Sequence, residues 1–419
     1  MDAATAPGAL VLVTNGIYAT GGRAVGTNLL LNRVAVDKPL SVRSVNGPQF
    51  TVIQGTTKGE GAIRCVYLAK GASLSGFTVT KGTTRTDGDE EREQTGGGVW
   101  CASPTEVVSN CIVAGNWAWS GGGGAYRGTV NNCALTGNTV TGDYAQGGGA
   151  LWSTLNNCTL TGNSATGDGG DGGGAYASTL NNCTLTGNSC SDLGGGAWYS
   201  TLNNCIAYSN IAPSAPNYWS GPINYSCTTP MPTDGIGNIT NAPLFVDYAG
   251  GNLRPQFNSP CINAGLNAYA PGATDLDGLP RIVSGTVDIG AYEFQGPGSV
   301  ISYAWLQQYG LPTDGSADTT DPDADGHTTW QEWRCLTDPT NALSVLRLLS
   351  TTPAGTNVTV SWQSVGGVNY FLERSADLAT SPPFILLAPN LSGQPGTTTY
   401  TDTNAAPLAP LFYRVGVRE

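Results

Sequence analysis

The stretch that decides the fold runs from Ser153 to Ser189 and reads STLNNCTLTGNSATGDGGDGGGAYASTLNNCTLTGNS. It carries Asn-Asn-Cys twice, 25 residues apart, each followed by Gly-Asn, and a glycine triplet precedes the second copy. Outward from it, the same pattern recurs at cysteines spaced 22, 25, 25 and 22 residues apart, namely Cys111, Cys133, Cys158, Cys183 and Cys205.

This period fits one coil of a parallel β-helix. A unit of 22 to 25 residues with apolar positions such as Leu155, Cys158 and Leu160 is too short for helix-pair repeats and lacks the leucine-rich pattern. In a β-helix each coil pairs with the next at about 4.8 Å, so equivalent side chains stack into ladders. The sequence therefore predicts a mainly β fold built on a parallel solenoid.

Two residue types suit such ladders. Asparagine tolerates the left-handed backbone conformation at corners, and stacked amides can bond to one another. The repeated cysteines predict a buried column of small apolar thiols, whose stacked geometry is poor for disulfides. The other six cysteines could pair in part, and they are Cys65, Cys101, Cys190, Cys227, Cys261 and Cys335.

Composition excludes several classes of protein. The chain has 419 residues, of which 59 are glycine and only 11% are charged, with a formal net charge of −12. Such a composition is unlike a coiled coil or helical bundle, and the scarcity of basic residues argues against nucleic acid or an anionic membrane surface as partner.

The sequence also limits localisation and chemistry. No run of about 18 to 20 apolar residues exists, so no membrane span is expected. The first residues, Met1 to Thr5, show no secretory leader, although one could have been removed. A single histidine, His327, excludes multi-histidine zinc sites, and a Ser-His-Asp triad would have to include it.

The coils resemble a known class. Residues 8–240, with their Asn-Cys, Gly-Asn and Gly-Gly-Gly elements, resemble the right-handed parallel β-helices of pectin-lyase-like proteins. Downstream segments resemble the choice-of-anchor Q module of bacterial surface proteins, and these are Pro243 to Asp247, Ser259 to Gly265, Asp275 to Gly278 with Arg281, and Val287 to Glu293. The resemblance implies a secreted or cell-surface bacterial protein. A solenoid needs its open end covered, so we expect residues 241–295 to form a C-terminal cap.

A twelve-residue motif, Asp321 to Glu332, matches the calcium-loop pattern D-x-[DN]-x-[DN]-G-x5-E at every specified position. Calcium prefers six to eight hard oxygen ligands. The pattern predicts calcium as the cofactor, with ligands from Asp321, Asp323, Asp325, His327 (through its backbone carbonyl), Thr329 and Glu332.

The flanks of this motif depart from a full EF-hand, because Gly310 and Pro312 interrupt the incoming segment. The loop is similar to those of dockerins and thrombospondin type 3 repeats, which implies a structural ion. Asp318 and Asp338 are further candidate ligands. The alternative is a solvated acidic turn. We expect residues 296–345 to form a short helical connector around the loop.

Aromatic residues recur before the ladder cysteines and could stack on sugar rings. The candidate carbohydrate-binding residues are Tyr126, Trp152, Tyr176 and Trp198. The alternative is ordinary same-face stacking between coils.

Acidic residues recur as well. Asp143, Asp168 and Asp192, with Asp171 nearby, could form a calcium ladder or remain solvated loop acids. An acidic insertion, Arg85 to Glu93, should loop out from one corner of the solenoid.

Residues 346–419 alternate apolar and polar positions between turn signals, which indicates a small β-sandwich with Trp362 as core anchor. The segment resembles a fibronectin type III module. The predicted domains are therefore residues 1–240, 241–295, 296–345 and 346–419. We predict that the chain is a surface attachment protein.

Its expected partner is an extracellular polysaccharide or cell-surface glycan, without turnover, and the sequence assigns no catalytic residue. Two alternatives remain open. One is a polysaccharide lyase or glycosidase with a lateral groove, for example one using Arg127 with Asp143 and Asp168. The other is a self-associating filament or surface-layer subunit.

Overall fold

The computed structural model describes residue 4, residues 6–56, 61–403, 405 and 410–417. The chain divides into two compact units. One extends to Gly296 and includes Ser302–Ala304, and the other consists of Pro297–Ile301 and the chain from Trp305 onward. Within the described part of the chain, no helix has the length and apolar character needed to cross a bilayer.

The first unit is a parallel β-helix, as the repeat predicts. Its strands stack coil upon coil into three long sheets and a shorter one, in which every pairing is parallel. Sheet A consists of Leu10–Val13, Ser41–Ser44, Ser73–Ser75, Val107–Ser109, Thr129–Asn131, Thr154–Asn156, Thr179–Asn181, Thr201–Asn203 and Ile223–Asn224. Sheet B consists of Gly16–Tyr18, Thr51–Gln54, Thr78–Thr80, Ile112–Ala114, Ala134–Thr136, Thr159–Thr161, Thr184–Thr186, Ile206–Ala207 and Cys227–Thr228.

The remaining two sheets complete each coil. Sheet C consists of Leu31–Val36, Ile63–Leu68, Val99–Cys101, Ala125–Tyr126, Ala150–Leu151, Ala175–Tyr176, Ala197–Trp198 and Tyr218–Trp219. Sheet D consists of Trp117–Ala118, Thr139–Val140, Ser164–Ala165 and Ser189–Cys190. A four-residue helix, Glu90–Glu93, lies in the acidic insertion.

The core is a set of one-residue-wide columns. Leu155 pairs in register with Leu180 on sheet A, and the five repeated cysteines are all buried in the same cluster. The backbone N–H of Cys158 donates to Cys183 Sγ at 3.4 Å, and that of Cys183 donates to Cys205 Sγ at 3.4 Å. The predicted thiol column is therefore confirmed.

All eleven cysteines lie in the described part of the chain, and all are free and buried. The partial pairing that the other six could have made is therefore not present. Burial raises the pKa of Cys65 to about 12, because a thiolate is poorly solvated in the core.

A buried asparagine ladder runs beside the thiol column. Asn138 Nδ2 donates to Asn163 Oδ1 at 2.9 Å, and Asn163 Nδ2 donates to Asn188 Oδ1 at 2.9 Å. Each amide also satisfies backbone groups, as Asn163 Nδ2 does with Leu135 O at 2.9 Å. The ladder stabilises the coils because these buried polar groups find partners in neighbouring coils.

Residues 241–295 contact the flank of successive coils at the Asn-Asn corners. Asn157 Nδ2 donates to Thr274 O at 2.9 Å, Asn182 Nδ2 to Asp288 O at 3.1 Å, and Asn204 Nδ2 to Leu266 O at 2.9 Å. The sequence led us to expect an end cap, whereas these contacts run along the solenoid. The reason is that the corner amides offer hydrogen bonds that only a segment lying across several coils can use.

This segment contains short antiparallel pairs and a 3₁₀ turn. The pairs are Phe245–Asp247 with Asn252–Pro255 and Ile282–Val283 with Thr286–Val287, and the turn is Asn267–Tyr269. A buried charge cluster holds it together, in which Arg281 Nη2 donates to Glu293 Oε2 at 3.0 Å and to Asp288 O at 3.0 Å. Asp288 and Asp275 accept backbone N–H groups, including those of Asn263 at 2.8 Å and Leu279 at 2.9 Å.

The second unit has two antiparallel three-stranded sheets. One contains Leu348–Ala354, Asn357–Ser364 and Gly396–Asp402, and the other contains Ile385–Ser392, Asn369–Ser375 and Phe412–Val417. Trp362 is fully buried and packs edge-on against Tyr370 of the other sheet at 6.0 Å, as expected for a core anchor. Two short helices precede the sheets, Tyr303–Gln308 and Thr329–Cys335.

Candidate functional site

A cleft of about 400 Å³ opens on the face of sheet C. Its floor is Tyr126 and Leu151, which are paired in register on neighbouring strands. Trp152 and Tyr144 line it with rings that are 46% and 76% exposed. The remaining lining residues are polar or acidic, and they are Glu90, Glu91, Thr95, Ser120, Asp143 and Gln146.

Local sequence features determine how the strands of sheet C begin and end beside the cleft. The glycine triplet before the five sheet C strands from Val99–Cys101 to Ala197–Trp198 lets neighbouring coils approach closely. A Cβ on Gly149 would lie 2.5 Å from Gly174 O, so only glycine fits. Trp152, directly after its strand, has a φ of +54°, and Arg127 in the preceding coil has +55°. These left-handed residues end the strand.

The acidic insertion forms one wall of the cleft, which corrects the expectation that it loops outward. Trp100 Nε1 on sheet C donates to Glu91 O at 3.0 Å. Buried Arg64 donates to Arg92 O at 2.5 Å and Thr95 O at 2.8 Å. The insertion folds back because the carbonyl oxygens at its end satisfy a buried guanidinium.

Glu93 anchors the same insertion from its other side. Its side chain is buried and accepts hydrogen bonds from the backbone N–H groups of Leu29 and Leu30. Burial alone would raise the pKa of Glu93, but these donors and the N–H of Asp89 lower it on balance. The carboxylate is thus stabilised in its charged form, and it attaches the wall of the cleft to the backbone at Leu29 and Leu30.

One cation lies at the cleft. Arg127 Nη1 forms an ion pair with Glu91 Oε1 at 2.7 Å. Its guanidinium also lies 5.1 Å from the ring centre of Tyr126 and 5.5 Å from that of Trp152, within cation–π range. Arg127 thereby links the insertion to the ring floor.

The buried Tyr126 hydroxyl lies beside Glu91 but makes no hydrogen bond of good geometry among the described residues. Burial, with the charge of Glu91 adding to it and that of Arg127 opposing it, raises the pKa of Tyr126. The phenol is therefore neutral at physiological pH.

The four predicted carbohydrate-binding residues fall into two pairs. Tyr126 and Trp152 have ring centres 5.6 Å apart, and Tyr176 and Trp198 have theirs 4.4 Å apart. Leu151 separates the pairs, since it occupies the register position between Tyr126 and Tyr176. Tyr126 is buried, with only 1% of its surface exposed, so Trp152 is the member of the first pair that solvent reaches.

Part of the aromatic stripe does stack between coils. Tyr67 and Trp100 lie 5.1 Å apart at 10°, and Trp100 and Tyr126 lie 5.9 Å apart at 15°. Offset stacking of this kind stabilises the sheet. The stripe thus combines a buried stacked portion with an exposed portion at the cleft.

The second candidate site is the acidic loop of the other unit. The carboxylates of Asp321, Asp323 and Asp325 offer oxygens that all lie within 4.8 Å of one another. Within the described residues no other group of three or more His, Cys, Asp or Glu side chains could hold a metal ion in this way. The possible ladder of Asp143, Asp168 and Asp192 therefore does not form such a cluster.

Several carboxylate oxygens of the loop are buried without a hydrogen-bond partner among the described residues. They are Asp323 Oδ2, Asp325 Oδ2 and Glu332 Oε2. Burial first, and then the charges of Asp323 and Asp325, raise the pKa of Glu332 to about 8. The buried, unpaired oxygens of Asp323 and Asp325, which lie close to each other and to Asp321, fit a divalent cation.

The backbone of the loop fits the same interpretation. Gly326, with a φ of +97°, makes the sharp turn, and its N–H donates to Asp321 Oδ2 at 2.9 Å. His327 N donates to Asp325 Oδ1 at 2.8 Å, which leaves the carbonyl of His327 as its predicted contribution. Thr329 begins the helix that places Glu332, and its Oγ1 donates to Thr320 O at 3.2 Å.

The two further candidate ligands have other partners. Asp318 accepts from Ser299 Oγ at 2.6 Å and Val300 N at 3.1 Å. Asp338 accepts from Thr340 N at 3.0 Å and Thr340 Oγ1 at 2.7 Å. Asp338 therefore stabilises its own turn, whereas Asp318 binds a segment 18 to 19 residues away in the chain.

Sequence reasoning did not assign Glu90, Glu91 or Tyr144 to a site. The two glutamates reach the cleft only because the insertion folds back, and no repeat marks that packing. Tyr144 lies in a loop with a φ of +54°, and its neighbour Asp143 was the only signal for that loop.

Comparison with known proteins adds no assignment. No protein-family model matches the chain, and no curated protein matches it.

Proposed function

We propose that this protein is a secreted or cell-surface bacterial attachment protein that binds a carbohydrate polymer in the sheet C cleft without cleaving it. The observation that carries the proposal is the pair of exposed rings, Trp152 and Tyr144, above a polar cleft. Aromatic faces stack on sugar rings, and side-chain oxygens bond sugar hydroxyls. The resemblances of the sequence to pectin-lyase-like β-helices and to the choice-of-anchor Q and fibronectin type III modules support a role at the cell surface.

Binding without turnover is favoured by the state of Arg127. A lyase needs a free base to take a proton from its substrate, and no Lys, His or Arg is among the residues that line the cleft. Arg127 lies next to it, but its guanidinium is held by Glu91 and by two rings. We therefore propose that Arg127 maintains the cleft and does not transfer protons.

The test is a binding and cleavage assay on a panel of neutral and charged polysaccharides. Trp152→Ala should weaken binding roughly tenfold, because a sugar-stacking ring contributes about 1–1.5 kcal/mol. The matched control is Trp219→Ala, since Trp219 lies on the same sheet and is 47% exposed but does not line the cleft. Equal loss in both variants, or no binding by the parent protein, would refute the proposal.

A polysaccharide lyase is the second candidate, and the proximity of Arg127 and Glu91 to the cleft favours it. The same assay separates the two. Chain cleavage that Arg127→Ala abolishes, with folding intact by circular dichroism, would replace attachment with catalysis. Retention of polymer without shortening supports attachment.

For the acidic loop we propose a structural calcium ion. Asp321, Asp323, Asp325 and Glu332 would hold it with their carboxylates, Thr329 would provide the ninth loop position, and His327 its carbonyl. Support comes from the buried unpaired oxygens and the raised pKa of Glu332. A bound cation supplies the positive charge that these carboxylates lack. The likeness to dockerin and thrombospondin type 3 loops is in keeping with a role in rigidity.

A further inference from the structure

The charge of the cleft points to a narrower class of ligand. Glu90, Glu91 and Asp143 line it, and all three are exposed. The neighbouring Arg127 is paired with Glu91. Glu90 and Asp143 have no ion pair within the described part of the chain, so the cleft presents uncompensated negative charge. A uronic acid polymer would meet repulsion there.

An existing contact beside the cleft shows which kind of chemical group its carboxylates and rings bind. The Arg127 guanidinium contacts a cleft carboxylate at 2.7 Å and lies over both Tyr126 and Trp152. Carboxylate and ring face act together on one cation, which is the arrangement that favours a ligand ammonium group. Tyr144, next to Asp143 and 76% exposed, supplies another ring beside an acid.

We propose that the cleft selects carbohydrate polymers that carry free primary amines, such as chains of unacetylated hexosamine. This inference rests on the proposed carbohydrate binding and adds its substrate class. The ammonium groups would lie near Asp143 and Glu90, and the apolar faces of the sugars would stack on Trp152 and Tyr144. The Tyr126 hydroxyl lies in the floor of this cleft, buried and without a good hydrogen bond among the described residues.

The experiment is calorimetric titration of the full chain with three hexasaccharides of equal length at pH 6 and low salt. They are a glucosamine, an N-acetylglucosamine and a galacturonic acid hexamer. We expect the glucosamine hexamer to bind at least fivefold more tightly than the acetylated one, and its affinity to fall as salt rises. The galacturonic acid hexamer should bind most weakly.

The outcomes separate the two proposals. Equal affinity for the glucosamine and acetylated hexamers, or tightest binding of the galacturonic acid hexamer, would overturn the amine preference while leaving carbohydrate binding intact. If none of the three hexamers binds and the polysaccharide panel also gives no binding, both proposals fail.

A charge-removing variant tests the named contact. Asp143→Asn should weaken binding of the glucosamine hexamer roughly two- to fivefold, as for a solvent-exposed ion pair, and leave the acetylated hexamer within about twofold. Asp192→Asn is the matched control, because Asp192 is an exposed loop aspartate of a later coil that does not line the cleft. An equal effect of both substitutions would mean that only the overall negative charge matters, which would contradict the site.

Discussion

Two clusters in this protein contain buried carboxylates, and they differ in the partners that the carboxylate oxygens have. In the segment 241–295, Asp275, Asp288 and Glu293 are buried around Arg281 and accept several backbone N–H groups. In the loop, Asp323, Asp325 and Glu332 keep buried oxygens with no partner among the described residues. Burying carboxylates is costly unless they are paired. In the first cluster the chain itself supplies partners for the carboxylates, and in the second we propose that a cation from solution supplies them.

The comparison has a consequence for pKa values. Burial raises the pKa of Asp288 to about 7 and that of Glu293 to about 8, although Arg281 and the backbone donors oppose the shift. In the loop, the neighbouring charges that shift the pKa of Glu332 are all carboxylates, which add to the effect of burial. The loop should therefore respond to chelators in a way that the first cluster does not.

The largest expected effect comes from removing Arg281, the cationic side chain of the first cluster. Arg281→Ala should lower the free energy of unfolding by about 3–5 kcal/mol, because it leaves buried carboxylates without their partner. Urea denaturation would measure the change. Arg254→Ala is the control, since Arg254 forms an exposed ion pair with Asp277 and should cost less than about 1 kcal/mol. Similar small losses in both variants would show that Arg281 does not carry the cluster.

The next effect is expected from removing the calcium ion proposed for the acidic loop. Saturating EGTA should lower the free energy of unfolding of the second unit by about 2.7 kcal/mol if calcium was present at about 100 times its Kd. Scanning calorimetry with and without calcium would detect the shift. Asp323→Asn should weaken the response to calcium, whereas Asp338→Asn should retain it, because that carboxylate bonds to its own turn. A chelator response that Asp323→Asn leaves unchanged would place the ion elsewhere.

The smallest effect is the pH dependence that Glu332 contributes to stability when the loop holds no calcium. The folded-state pKa of Glu332 is raised from 4.5 to about 8, so the folded state binds more protons than the unfolded state between these values. Stability is therefore greatest below about pH 4.5 for this group and falls as pH rises toward 8. We expect a loss of roughly 2 kcal/mol in EGTA over this range.

Calcium should reverse that trend, because it binds the ionised carboxylates and competes with protons. Urea unfolding at pH 5 and pH 8.5, with calcium and with EGTA, would check both directions. Glu332→Gln in EGTA is the control variant, and it should reduce the slope by the contribution of Glu332, because the buried carboxylates of the first cluster still titrate. A slope in EGTA that Glu332→Gln leaves unchanged would contradict the assignment of the raised pKa.

Local and periodic features were predictable from the sequence. The spacing of Cys133, Cys158 and Cys183 determined the parallel coils and the thiol column, since equal spacing brings equivalent residues into register. Of the carboxylates in the motif from Asp321 to Glu332, those of Asp321, Asp323 and Asp325 lie close together, because such a short loop restricts their geometry. Trp362 was predictable as a core residue from strand alternation.

Other features of the protein could be seen only in the tertiary structure, because they depend on contacts between distant segments that do not repeat. The acidic insertion folds over sheet C because Arg64 and the N–H groups of Leu29 and Leu30 receive it, and no periodicity links those positions. The segment 241–295 lies along the flank because corner amides of three coils bond to it. The cleft that joins Glu91, Tyr144 and Trp152 follows from this packing. A repeat shows in the sequence which residues lie in register between coils, whereas a single long-range contact leaves no comparable pattern.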